Sequence, residues 1–345
     1  MPKIPPASEA PLYPFTALVG QEAMKLALVV NVVNPRVGGV LIRGEKGTAK
    51  STAVRALAEI LPQQEVVADC PFSCPPHQPA AWCATCAERA AEGEELPVLK
   101  RRVKVVELPV GATEDRLLGT LDLESALAEG RTRLQPGILA AANRQILYVD
   151  EVNLLDDHLV DALLDAAAMG VNTIERESLS VNHPASFTLV GTMNPEEGEL
   201  RPQLTDRFGL CVQVKGLPDP AERAEVIRRR LEFEKNPAAF RRRHQAAGRQ
   251  LGKLVARARR ILPHVQAGPE ILDRVVQVVL ELGVDGHRGD LTLLKTSLTL
   301  AALEGVRQVE PRHVDQAALM ALPHRLRRRP LAEMDFDIGE RLGRI

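Results

Sequence analysis

Short, wholly apolar runs alternate with amphipathic stretches through the first two thirds of the chain. "GGVLIRG" (38–44), "ILYV" (146–149), "SFTLVGTMNP" (186–195) and the run opening at Cys211 are apolar segments bounded by glycine or polar residues. Such runs suit buried parallel strands, in which both faces are covered. "KSTAVRALAEILP" (50–62) places Val54, Leu57 and Leu61 at helical spacing and stops at Pro62. After Pro218-Asp219-Pro220 the strands cease. "AERAEVIRRRLEFE" (221–234), "GRQLGKLVARARRILP" (248–263), the series Ile271, Val275, Val278, Leu282, then "RGDLTLLKTSLTLAALEG" and "PRHVDQAALMALPHRLRRR" all carry the helical period. The pattern predicts an α/β class fold. A parallel sheet of about five strands flanked by helices occupies 15–218, behind a Pro-rich lead-in at 1–14. An all-helical lid of four or five helices fills 219–345, with one hydrophobic core expected in each part.

Composition narrows the function classes. The 345 residues carry a net charge of −1, with 26% charged and only 3% aromatic residues. That balance gives no basic excess for a nucleic-acid binder and no stacking platform for single strands. No apolar run approaches the roughly 20 residues of a membrane span. The N-terminus lacks an apolar signal core, so a cytoplasmic protein with reduced cysteines is expected. The arginine runs 241–243 and 327–329 read as solvated faces.

The chemistry begins at "RGEKGTAKST" (43–52). Gly44, Glu45, Lys46, Gly47, Thr48, Ala49, Lys50, Ser51 and Thr52 form a near-match to the phosphate-binding loop, with Ala49 where a second glycine is usual. A strand precedes it and a helix follows, the setting in which backbone N–H groups and a helix N-terminus hold phosphates. Lys50 would reach the β- and γ-phosphates and Ser51 would ligate Mg²⁺. Ala49 fits if its φ is negative and its Cβ points away from the phosphates, which is the expectation here. About 100 residues on, the strand 146–149 ends in Asp150-Glu151, a pair suited to a Mg²⁺-holding carboxylate followed by a water-activating one. The next strand ends at Asn194, placed to orient a water. Arg201 and Arg207 flank the turn that follows. Such an arginine is commonly a structural ion-pair partner, and in an oligomeric ATPase it can reach a neighbour's γ-phosphate.

Four of the five cysteines, Cys70, Cys74, Cys83 and Cys86, lie within 17 residues at Cys-x3-Cys-x8-Cys-x2-Cys spacing. Thiolates so spaced can surround a tetrahedral Zn²⁺, the favoured reading, or an iron–sulfur cluster, or stay free. Pro71, Pro75 and Pro76 predict a loop rather than a helix or strand. His77 is an alternative ligand, though a loop histidine is more often solvated. Cys211 reads as a small buried residue.

The ordered set "GEKGTAKST", "LYVDEVNLL", "GTMNPEEGELRPQLTDRFGL" and "DGHRGDLTLLK" resembles the AAA+ subunit of magnesium chelatase, the I subunit, and its cobalt-chelatase relatives. The resemblance runs from "FTALVGQEAMKLAL" near residue 15 to "PHRLRRRPL" near 331. "LPVGATEDRLLGTLDLESAL" resembles the family's insertion near its second helix (108–134 here), and "NTIERESLSVNHPASF" the hairpin before its asparagine sensor (172–187). The resemblance implies that Lys50, Ser51, Asp150, Glu151 and Asn194 act on ATP·Mg²⁺ within one subunit. It implies further that Arg207 is a trans-acting finger and Arg288 a second arginine sensor, and that Val19, Gly20 and Gln21 pack the adenine. It also implies a hexameric ring, a D-type AAA+/integrin-I-domain partner and a large H- or CobN-type subunit that inserts Mg²⁺ or Co²⁺ into a tetrapyrrole. Loops with Ala before the Lys occur in related AAA+ branches and in the cobalamin-linked chelatase-like form. The four-cysteine set departs from many members. A MoxR-type remodelling chaperone, a helicase-like translocase and a non-hydrolysing nucleotide-binding scaffold are the rival classes. The first lacks "GATEDRLLGTLDLE", the second needs a DNA-binding domain, and the third sits poorly with the full set Asp150, Glu151, Asn194 and Arg207.

Overall fold

The computed structural model describes residues 11–122, 133–176, 179–326 and 338. Parts of the lead-in, of the 108–134 insertion and of the lid, with the 327–329 run, lie outside the described residues. The first half contains α1 (Glu22–Val33), β1 (Val40–Gly44), α2 (Lys50–Ile60), β2 (Gln64–Val67), α3 (Ala84–Ala91), β3 (Val98–Arg101), β4 (Val105–Leu108), α4 (Glu114–Leu118), β5 (Gly119–Asp122), β6 (Arg133–Pro136), α5 (Ile138–Ala142), β7 (Ile146–Val149) and α6 (Asp157–Met169). There follow β8 (Val171–Arg176), β9 (Leu179–Pro184), β10 (Thr188–Met193), α7 (Pro202–Thr205), β11 (Leu210–Val214) and five helices: α8 (Pro220–Lys235), α9 (Pro237–Ile261), α10 (Pro269–Glu281), α11 (His287–Glu304) and α12 (Pro311–Ala321).

Five strands form one parallel sheet in the order β11-β1-β10-β7-β4. Its side chains alternate between two buried faces, as the two-residue strand period requires. Val40, Ile42, Ile146, Tyr148, Val190 and Val212 join α1, α2 and α9–α12 in one cluster. Leu41, Leu147, Val149, Leu189, Met193 and Cys211 join α4–α6 in the other. The sequence predicted a separate core for the helical part, and the structure differs. Val255, Ile271, Val278, Leu293 and Val314 belong to the same cluster as the sheet. Besides packing on one another, α9 and α11 pack on α1, and α12 packs on β11.

A lid closing over the nucleotide loop is the sequence expectation for the helical region, and its position differs. α11 packs on α1 and on the turn Pro35–Val37 that precedes β1, and α12 packs on β11. His324 contacts the Phe208 carbonyl at 2.9 Å, and Arg325 donates to the Gly209 carbonyl at 2.9 Å, both just before β11. In a parallel sheet these points mark the N-terminal edge, roughly 15 Å along the strands from the loop that follows β1. The helices α10–α12 therefore do not close over that loop. Of the described helices of this region, α8 runs beside it.

Candidate functional site

β1 is the second strand of the sheet, so the loop after it emerges between β10 and β11 at the C-terminal edge. Gly44 has to be glycine: a Cβ there would stand 2.2 Å from the Val214 carbonyl oxygen of β11. The chain then turns over 45–49 and enters α2 at Lys50. Ala49 corrects the sequence expectation. Its φ is +61° and ψ +23°, the left-handed region. The chain must reverse sharply between the turn and the first helical residue, and a left-handed residue makes that reversal. Ala49 pays about 1–2 kcal/mol for a shape glycine adopts freely.

The Lys50 ammonium donates to the carbonyls of Gly44 and Glu45 (2.5 and 2.9 Å). Burial holds it below the ordinary lysine range, against the opposing pull of Asp150, Glu151, Glu197 and Glu45. Ser51 follows at the start of α2. Lys46 bridges Glu197 and Glu151, the latter at 3.6 Å. Its hydrogen bond to Glu197 raises it above the ordinary range.

β7 delivers Asp150 and Glu151 one strand beyond β10. Tyr148 and Thr192 both donate to Asp150 Oδ1, at 2.9 and 2.6 Å, and the Glu151 amide donates to Thr192 Oγ1 at 3.2 Å. Two hydroxyls on one oxygen fix the carboxylate's orientation and leave its second oxygen for a cation. Glu151 is itself left-handed at φ +50°. Asn194, 4% exposed, lies one residue past β10 and accepts from the Glu196 amide at 3.3 Å. Neither Tyr148 nor Thr192 was identified from sequence. The available signal is their position two residues before Asp150 and Asn194, on the same strand face.

Beside the loop lies a cavity of about 440 Å³ whose lining includes Val19, Gln21, Gly47, Leu217, Val226 and Ile227. Gly20 and Gln21 are left-handed, and a Cβ on Gly20 would press within 2.6 Å of Leu217. Gln21 Nε2 donates to the Lys215 carbonyl at 2.7 Å, which ties this segment to the end of β11. Val226 and Ile227 of α8 were missed. Their signal is an apolar pair within the charged run "AERAEVIRRR", left exposed at 42% and 61%. The cavity has the apolar walls a purine needs, and the loop, Ser51 and Asp150 have the donors and oxygens a nucleotide–Mg²⁺ pair needs.

Two arginines stand apart. Arg207 precedes β11 and is gripped by Asp161 and Asp165 of α6, while Arg201 pairs with Asp157 of the same helix at 2.6 Å. The three carboxylates follow the four-residue helical step and form one acidic ridge. Arg288, at the start of α11, donates to Asp206 at 2.8 Å. Both lie at the N-terminal edge of the sheet and do not meet the phosphate loop of their own chain. Asp206 also receives Arg325 at 3.1 Å, a buried arginine held down to about 10 by burial. Of the arginine run 241–243, Arg241 reaches Glu59 at 2.9 Å and Arg243 reaches Glu232 at 3.2 Å, so these two are ion-paired rather than simply solvated.

The cysteine segment differs from the predicted loop. Cys83 caps α3, and Cys86 lies in its first turn. The four Sγ atoms lie within 4.8 Å of one another. His77 is exposed and stands 3.8 Å from Glu65, outside this group. Cys211 is fully buried in β11, where burial pushes its thiol up to about 12.

Comparison with known proteins bears on this geometry. A family described as magnesium chelatase, subunit ChlI, matches residues 122–217, and an AAA lid domain matches 272–342. The ChlI homolog of Methanocaldococcus jannaschii is 55% identical over 92% of this chain and 87% of its own. Chloroplastic magnesium-chelatase ChlI of Chlamydomonas reinhardtii is 50% identical over 97% and 80%. Among solved structures, the BchI–BchD complex of magnesium chelatase has a similar chain: 46% identical, TM-score 0.55, over 96% of this chain and 99% of that one. An ATPase from Cytophaga hutchinsonii shares the fold alone, with TM-score 0.61 at 17% identity.

Proposed function

Because the chain belongs to the ChlI family of AAA+ ATPase subunits of magnesium chelatase, we propose that it hydrolyses ATP to drive metal insertion into a tetrapyrrole by a separate large subunit. The observation that carries this is the convergence at one sheet edge of the loop 44–52, Asp150-Glu151 and Asn194, beside an apolar cavity. The metal is read as Mg²⁺. Ala49 is the feature shared with the cobalamin-linked form, so Co²⁺ is the second metal to assay. A D-type subunit is the partner, by analogy with the BchI–BchD complex, and the active form is a ring, read as a hexamer. No helix among the described residues is long and apolar enough to cross a membrane.

In this reading Lys50 leaves the carbonyls of Gly44 and Glu45 for the phosphates, whose charge compensates its burial. Mg²⁺, when bound with ATP, would supply neutralising charge for the phosphates. Ser51 and the second oxygen of Asp150 would hold that ion, with Tyr148 and Thr192 keeping Asp150 turned to do so. Glu151 takes the proton from the attacking water, and Asn194 orients that water. Val19, Leu217, Val226 and Ile227 enclose the adenine. Arg207 and Arg288 face a neighbouring subunit's nucleotide rather than their own.

The test separates binding from chemistry. Glu151→Gln is expected to bind ATP with near wild-type affinity and to lose turnover by 10²-fold or more, the order of a lost general base. Lys50→Ala is expected to weaken ATP binding itself. Wild-type turnover in Glu151→Gln would refute the assignment.

A further inference from the structure

Cys70, Cys74, Cys83 and Cys86 lie buried together, away from the loop 44–52. They are a built cluster that the nucleotide chemistry does not use. We propose that Cys70, Cys74, Cys83 and Cys86 bind one Zn²⁺ that organises the segment 68–97 between β2 and β3.

The geometry is that of two facing knuckles. Around Cys70 the chain makes a tight turn, with Cys70 N–H donating to Val67 O at 3.3 Å and Ser73 N–H to Cys70 O at 3.2 Å. Cys74 O then accepts from the Val67 amide at 2.9 Å. The second knuckle is the start of α3, which places Cys83 and Cys86 on one side of its first turn. The Cys83 amide donates to Cys74 Sγ at 3.2 Å, a hydrogen bond across the two knuckles that favours a thiolate. Cys70 Sγ and Cys83 Sγ stand 3.8 Å apart. A tetrahedron with Zn–S bonds of about 2.3 Å has edges of about 3.8 Å. All five cysteines are free, and the four are 6%, 0%, 3% and 1% exposed. An iron–sulfur cluster interposes several irons and needs its thiolates further apart.

Four thiols that lose their protons to solvent as they bind one Zn²⁺ leave a centre of charge −2. The Arg144 guanidinium donates to Ser73 O at 3.0 Å and Glu65 O at 2.8 Å, and Arg101 donates to Ser73 Oγ at 3.2 Å. Two cations are thus anchored on the first knuckle. The apolar mass is otherwise small: among the described residues, Val67, Phe72 and Ala140 are buried beside the cysteines, with Trp82, Leu96 and Leu134 half-buried against them. That is too little to order a segment of this length, and a structural metal supplies the missing folding free energy. With four protein ligands the site is closed, so its role is architectural. It fixes a module that clamps the N-terminal edge of β7. Asn143 donates to Phe72 O at 2.6 Å, and the Phe72 ring stacks on His183 of β9 at 5.1 Å.

The experiment measures metal in tag-free, full-length protein purified anaerobically, beside a Cys83→Ser/Cys86→Ser variant. About one zinc per chain, released by an organomercurial titrating four thiols, is the expected result, with none in the variant. Because the variant can misfold, wild-type protein stripped and reloaded with Co²⁺ provides an independent readout. A tetrahedral tetrathiolate visible spectrum is expected, with slower amide exchange in 68–97 than in the metal-free chain. Iron in place of zinc, a disulfide within the set, or four free thiols with unchanged exchange overturns the proposal. The readout is independent of ATP turnover, so it stands or fails separately from the proposed function.

Discussion

Ala49 at φ +61° and Glu151 at φ +50° both adopt a backbone shape that L-residues usually avoid. They flank the proposed nucleotide site, one before Lys50 and one after Asp150. Strain of this kind persists where surrounding structure over-determines it, and it clusters at functional sites. Ala49→Gly removes a Cβ from a left-handed residue, and it also frees the unfolded chain. The first effect is the larger here, so a net stabilisation of about 1 kcal/mol is expected. The check is a higher urea midpoint at unchanged slope. A lower midpoint would mean that Ala49 does not hold positive φ in solution. The sequence located the loop correctly but misjudged this residue, because φ is set by the path between β1 and α2 and not by residue type.

At the scale of elements, α6 presents Asp157, Asp161 and Asp165 to Arg201 and Arg207. The ridge holds Arg207 at the sheet's N-terminal edge, and in the proposed ring its contact with ATP would be made across a subunit boundary. Arg207→Ala is therefore expected to bind ATP normally and to lose turnover in the ring by the 10³–10⁵-fold typical of an arginine finger. Mixed with Lys50→Ala subunits, it should regain part of the activity, because some interfaces then pair an intact Lys50 with an intact Arg207. Mixed rings, confirmed by mass, that stay inactive at every ratio would exclude the trans role.

For the whole molecule, the joint between helical region and sheet rests on buried polar groups. His324 Nε2 donates to the Phe208 carbonyl, and its buried Nδ1 has no partner among the described residues. Burial, with the cations Arg325 and Arg43 nearby, holds His324 well below the ordinary histidine range. The folded chain thus resists a proton that the unfolded chain accepts near pH 6.5. Stability from this group is present above that pH and is lost as pH falls through it toward the lower folded value. His183, depressed by burial, acts in the same direction. Melting temperature is expected to drop between about pH 7.5 and about pH 5.5, and to drop less in His324→Gln, which keeps a donor for Phe208. An identical pH slope in both proteins would rule out this joint as the sensor.

By itself, the sequence determined the strands and the loop that frame the site. Apolar runs marked β1, β7 and β10, and the residues after them had to emerge at one edge because parallel strands all point one way. That put the loop, Asp150-Glu151 and Asn194 together without any knowledge of packing. Cysteine spacing likewise marked a metal candidate. Tertiary structure alone decided where the helical region docks, that its stripe shares the sheet's core, and that α8 supplies Val226 and Ile227 to the cavity. It alone tied Arg288 to Asp206 and brought four thiols within 4.8 Å. Periodicity records which face of an element is apolar, but not which partner covers it. That choice depends on contacts between residues hundreds of positions apart, such as Asn34 with Thr299.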